Sequence, residues 1–181
     1  AVFTSASNHQ RLEEIRKVHL AGQINGDTEN IPLVIHLGYN VHGNEPSSSE
    51  AAMLTAYYLT ASESEEATKW MNEMVILMDP VINPDGRDRH SSWANMHKAA
   101  PPVADPIDRE HTEIWPGGRF NHYWFDLNRD WFLGTFPETR NRIKFFHHWR
   151  PYVQVDHHEM GSNSTFYFDP GEDDSNNPIV P

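Results

Sequence analysis

Cysteine is absent from the sequence, which excludes disulfides and every metal site built on thiolate. Basic residues are scarce: 14 Lys and Arg face 26 Asp and Glu, for a net charge of -12 at pH 7. The few cations are scattered along the chain, whereas a phosphate-binding face needs them clustered, so nucleic acid is excluded as a partner. No run of about 18 apolar residues occurs, so no membrane span is expected. The opening AVFTSASNHQ has no basic segment running into an apolar one, so no signal peptide is expected within it. A mature or trimmed chain would read the same. Histidine, by contrast, is plentiful, with 12 in 181 residues. With sulfur missing, a bound metal would draw on imidazole nitrogen and carboxylate oxygen.

The length suits one domain with a substantial core. Residues 1–5 read as a short β-like start and 11–20 as an amphipathic helix ending near Gly22. Residues 31–39 (IPLVIHLGY) form a nearly continuous apolar run, the mark of a strand buried on both faces. Pro46 and the serines after it open a helix over 47–60, with Ala51, Leu54 and Tyr58 expected on its inner face. An acidic helix at 65–72 precedes a strand at 74–78. The NPDG stretch (83–86) is a turn signal. From there to about Phe125 the chain shows no periodicity, and its many aromatics indicate an ordered, functional loop. Phe136-Pro137-Glu138 starts another helix, with Ile143, Phe146 and Trp149 inward. Strands follow at 152–157 and 165–168. This alternation implies a three-layer α/β domain, with helices on both faces of a mixed, mostly parallel sheet.

Three stretches carry chemistry. HGNE (42–45) follows a buried strand and precedes a helix, and open α/β sheets place ligands at the carboxyl ends of their strands. His42 and Glu45 are therefore candidate metal donors. YVQVDHHEMG (152–161) delivers Asp156, His157, His158 and Glu159 to the end of a second strand. Side chains alternate along a strand, so the two histidines cannot both face one site. One of them completes a His, Glu, His set, and three protein ligands with an open fourth position is the catalytic arrangement for zinc. FDLNRDW (125–131) sets Arg129 beside Asn128, a pair suited to clamping a carboxylate. An aspartate of the same stretch can hold the free ring N–H of a ligand histidine.

HGNE, NPDG, DLNRDW (126–131) and DHHEMG (156–161), in this order and at about these separations, resemble the zinc metallocarboxypeptidases of the carboxypeptidase A/B type. The bacterial zinc carboxypeptidases are the branch they look most like. The resemblance runs over the whole chain. It implies one zinc ion bound by His42, Glu45 and a histidine two after an aspartate, which points to His158 over His157. Asn128 and Arg129 match the pair that takes the C-terminal carboxylate of a peptide substrate. Asp126 matches the acid that hydrogen-bonds the first ligand histidine. The implied reaction is hydrolysis of the C-terminal peptide bond by metal-activated water.

The sequence departs from that pattern in places. The family's oxyanion-stabilising arginine has no clear match, and Lys98, Arg87 and Arg89 are the candidates. The general-base glutamate, the tyrosine over the substrate and the specificity pocket would fall beyond residue 181. Glu159 is expected to face away from the site. The chain opens on a strand and stops at PIVP soon after another, so residues 1–181 read as a single partial catalytic domain, one that lacks the C-terminal part and is inactive alone if the base is missing. Two alternatives keep some of these residues. Aspartoacylase and succinylglutamate desuccinylase relatives, which cleave N-acyl amino acids, carry similar segments, although the NPDG turn favours the peptidase. A peptide-binding pseudoenzyme would keep the clamp without the base. The resemblance also implies export to the periplasm or beyond. Side-chain preference and oligomeric state are not legible.

Overall fold

The computed structural model describes residues 1–25 and 31–161; the strand expected at 165–168 lies outside them. Among the described residues four strands form one sheet: β1 (Val2–Phe3), β2 (Leu33–Tyr39), β3 (Met74–Asp79) and β4 (Val153–His157). Their order is β1-β3-β2-β4. β2 runs parallel to both β3 and β4, and β1 alone is antiparallel. Among the described residues the helices are α1 (Ala6–Gln10), α2 (Leu12–Asn25), α3 (Pro46–Ala61), α4 (Glu65–Glu73), α5 (Pro84–His97) and α6 (Pro137–Trp149). None is long and apolar enough to cross a membrane.

Alternation along the central strands makes the three layers. Val34, Val75 and Leu77 turn to one face, where they pack with Ile15 of α2 and Trp149 of α6. Tyr39, Ile76 and Met78 turn to the other and meet Ala52 and Leu59 of α3, with Trp70 and Met71 of α4 beside them. A strand covered on both faces in this way has little use for polar residues, which is why β2 and β3 read as apolar runs. Leu77, Val34 and Val75 are at most fractionally exposed, and burying side chains of this size is worth about 1.5–3 kcal/mol each.

Four helical expectations need correction. α1 was not foreseen; Ser5 caps it by accepting from the Asn8 N–H. α2 runs past Gly22, because one glycine weakens a helix by about 1 kcal/mol without stopping it. On α3 the buried residues are Ser48, Ser49, Ala52 and Leu59, whereas Leu54 is 71% exposed. This small, polar inner face lets the Arg87 Nε–H reach Ser49 Oγ at 3.0 Å. On α6, Trp149 is buried as expected, but Phe145 and not Phe146 packs against its cluster.

The largest correction concerns residues 84–97, read as loop and found as α5. Asn83 caps this helix by accepting from the Gly86 N–H at 3.0 Å, and Pro84 sits in its first turn. The NPDG signal therefore marks a helix start. Arg87, Arg89 and His90 of α5 hydrogen-bond to neighbouring segments, so the helix carries no apolar period to read. Its first turn is pressed against the HGNE turn. A Cβ added at Gly43 would lie 2.1 Å from the Arg87 nitrogen, and one at Gly86 2.3 Å from the Gly118 carbonyl oxygen. Only glycine permits backbones to approach this closely.

Candidate metal centre

Parallel pairing of β2 with β4 puts their carboxyl ends side by side, with Gly38 opposite Asp156 and Tyr39 opposite His157. The residues that follow the two strands therefore emerge next to one another. After β2 the chain turns sharply at Asn40, whose φ of 57° is left-handed, a region that asparagine tolerates better than most residues. The Asn40 amide then donates to the carbonyls of His42 (2.8 Å) and Glu45 (2.9 Å). One buried side chain thus fixes the backbone of both donors.

The donors converge. His42, Glu45 and His158 each offer an atom within 4.8 Å of the others. His42 Nδ1 lies 2.9 Å from Glu45 Oε1, and His158 Nδ1 lies 3.1 Å from Glu45 Oε2. On the far side of each ring sits another carboxylate. His42 Nε2 is 3.1 Å from Asp126 Oδ1, and His158 Nε2 is 3.1 Å from Asp156 Oδ2. Carboxylates placed there keep the proton on Nε2 and turn the Nδ1 lone pair inward, the outer hydrogen bonding that metal-ligating histidines show. Two imidazoles and a carboxylate held in this way suit zinc. Asp126 is where the resemblance put it. Asp156 was not singled out, although D-x-H on a strand places both residues on one side.

Histidine 157 points elsewhere. Its Nδ1 lies 2.9 Å from the Gly38 carbonyl oxygen, and its ring stacks on Tyr39 at 4.0 Å. Of the two neighbouring histidines, His158 is the one beside Glu45.

The electrostatics are strongly coupled. Burial pushes the pKa of His42 down, but hydrogen bonds to Asp126 and Glu45 outweigh it and leave it raised. Burial would raise Glu45, yet the His42 hydrogen bond, the Glu159 N–H and both histidine charges bring it below its ordinary value. Asp126 is likewise pushed up by burial, and more strongly pulled down by His42, the Asn128 N–H and Arg119, to about 2. Ionised carboxylates around two imidazoles make a seat that attracts a cation.

The seat opens into a cleft of about 660 Å³ that is also lined by Asn128, Arg129, Arg119, Asp156, Glu159 and Met160. Asn128 and Arg129 belong to a short 3-10 turn, Leu127–Arg129, capped by Asp126 through the Asn128 N–H. Arg129 is exposed on the cleft wall, bonded to the Asn128 carbonyl at 3.0 Å. The three cations considered for the oxyanion are not in this cleft. Arg87 bonds Ser49, Ser91 and Glu50. Arg89 donates to the carbonyls of Gly117, Phe120 and Asn121. Lys98 ends α5 and reaches Asn95.

A second cation lines the cleft beside Arg129: Arg119, which sequence reasoning missed. Its Nε donates to Asp126 Oδ2 at 2.9 Å, and its NH1 lies 3.9 Å from Glu45 Oε1. It follows Gly117 and Gly118 in a loop tied to the HGNE turn by Glu113, which accepts from the Asn44 amide, the Gly118 N–H and His90 Nδ1. Arg87, Arg89 and Lys98 lie on α5 or at its end, well before this loop. The Gly-Gly pair was the available signal. Glu159 is also corrected: β4 ends at His157, so strand alternation no longer governs Glu159, which borders the cleft while its side chain reaches Ser47 at the start of α3.

A second donor group, Asp85, His122 and Glu138, also falls within 4.8 Å. Asp85 and Glu138 stand in the first turns of α5 and α6, where acids complement the positive helix end, and His122 joins them at 2.7 Å and 3.6 Å. It is more exposed than the His42 group.

Comparison with curated proteins gives no match. A family model described as zinc carboxypeptidase matches residues 14–177, a span that includes every residue of the cleft. The chain belongs to the zinc carboxypeptidase family.

Proposed function

We propose that the protein is a zinc-dependent exopeptidase that hydrolyses the C-terminal peptide bond of peptides. Convergence of His42, Glu45 and His158 in a cleft that also presents Arg129 carries this reading. His42 and His158 would hold the ion through Nδ1 and Glu45 through its carboxylate. Asp126 and Asp156 hold the Nε2 protons and so keep both lone pairs aimed. An ion held there would supply Lewis-acid polarisation of a carbonyl and a water whose pKa is lowered toward about 7.

Arg129 and Asn128 take the terminal carboxylate of the substrate, since a guanidinium fork matches its two oxygens. That contact restricts the reaction to chain ends. Arg119, held at the seat by Asp126, supplies positive charge where the carbonyl oxygen becomes negative. It takes the role for which Arg87, Arg89 and Lys98 had been considered.

The test compares three substrates with the zinc-loaded full-length protein, general base included: a blocked dipeptide with a free carboxylate, the same peptide as its C-terminal amide, and an N-acyl amino acid. Cleavage of the first alone supports the reading; preference for the acylated amino acid points to deacylation. Binding of the first without cleavage points to a peptide-binding pseudoenzyme. Arg129→Ala should raise KM for the free peptide and leave zinc content unchanged.

A further inference from the structure

We infer that Glu159 is a positioning residue for the metal seat: it caps helix α3 in place of Glu45 and so leaves Glu45 free to face the two imidazoles. This rests on reading His42, Glu45 and His158 as zinc ligands.

The first N–H groups of a helix have no partner within it, and the side chain of the N-cap residue usually supplies one. The N-cap of α3 is Glu45, yet its side chain makes no capping hydrogen bond. Both its oxygens are engaged with the histidines, at 2.9 Å and 3.1 Å. Turned toward the imidazoles, neither oxygen caps the N–H groups of its own helix. Pro46, at the first helical position, has no N–H to satisfy. The next donor is Ser47. Its N–H and its hydroxyl both donate to Glu159 Oε1, each at 2.6 Å, across 112 positions of chain. The cap of α3 is therefore imported from the segment after β4.

Glu159 grips the other side of the same residue as well. Its backbone N–H donates to Glu45 Oε2 at 3.0 Å. It thus holds the Glu45 carboxylate through its main chain and the helix behind Glu45 through its side chain, next to His158. Helix N-termini attract negative charge, and an N-cap side chain reaches the second or third N–H. If the Glu159 carboxylate is removed, the Ser47 N–H becomes an acceptor-seeking group beside Glu45. Glu45 then turns from the imidazoles to its own helix, and the seat loses a donor.

The experiment measures zinc dissociation constants by competition with a chromophoric chelator for wild type, Glu159→Ala and Glu159→Gln, together with the visible spectrum of each Co²⁺-substituted form. Glu159→Ala should weaken zinc binding about 10–100-fold, the usual loss when an outer hydrogen bond of a metal site is removed, and change the cobalt bands. Glu159→Gln keeps an acceptor oxygen and should lie between that variant and wild type. A residue that only stabilised the fold would lower the melting temperature of the metal-free variants and leave zinc affinity and cobalt bands as in wild type; that result overturns the inference. If Glu159→Ala does not fold, Glu159→Gln decides, and wild-type affinity and bands in it are equally contrary. Failure of wild type to bind one zinc ion would instead overturn the zinc assignment on which the inference rests.

Discussion

The Nε2 atom of His42 lies 3.1 Å from Oδ1 of Asp126, a residue 84 positions later in the chain. Asp126 also accepts from the Asn128 N–H and from Arg119, so one carboxylate ties His42, the 3-10 turn that carries Asn128 and Arg129, and the cleft arginine.

Two consequences of Asp126 are measurable. Asp126→Asn should weaken zinc binding about 10–100-fold, read by chelator competition. The second is an acid limb in the stability of the metal-free protein. The folded pKa of about 2 lies below the ordinary 3.8. Stability from a depressed acid is fully present above the unfolded value and lost as pH falls through the folded one. The loss here spans about pH 4 to pH 2 and is worth on the order of 2 kcal/mol. Denaturant titrations over that range should show a shallower limb in Asp126→Asn; an identical limb counts against the linkage.

Zinc affinity should depend on pH above the range of an ordinary histidine. His42 is held protonated past its ordinary 6.5 by Asp126 and Glu45, despite burial. A metal must displace that proton from Nδ1. Affinity should therefore fall as pH drops, and the fall should already be under way above pH 6.5. Calorimetric titrations in several buffers would show proton release on binding at pH 7. No release at that pH would mean the histidine is already neutral.

The arginines should separate by function. Arg119→Ala should cost about 10²–10³ in kcat, the range for losing an oxyanion donor, while zinc content holds. Arg89→Ala should instead lower the melting temperature, because Arg89 holds three backbone carbonyls of the loop that carries Arg119. Steady-state kinetics and thermal melts on the two variants test the division. Equal kcat losses with equal loss of stability would contradict it.

Apolar runs and strand alternation made β2, β3 and β4 legible, and the ordering of motifs made His42, Glu45 and Asp126 legible with them. Spacing alone could not choose between His157 and His158; the family's D-x-H pattern could, and geometry separates them by turning His157 onto Tyr39. What escaped had no period. α5 satisfies its inner face with Arg87, Arg89 and His90 instead of apolar residues. Arg119 sits in a loop whose path is set by long-range contacts from Glu113 and by the close approach of Gly43, Gly86 and Gly118. Such contacts leave glycines in the sequence but not the identity of their partners. The inner face of α3 misled for a related reason. Near a polar site small serines pack inward, and the apolar side chain of Leu54 faces out.

Zinc content per chain, measured by elemental mass spectrometry on purified and dialysed variants, tests the central claim most directly. The wild type and His157→Ala should each retain one zinc ion, while His42→Ala and His158→Ala should lose it. Zinc retained in His158→Ala but lost in His157→Ala would contradict the assignment.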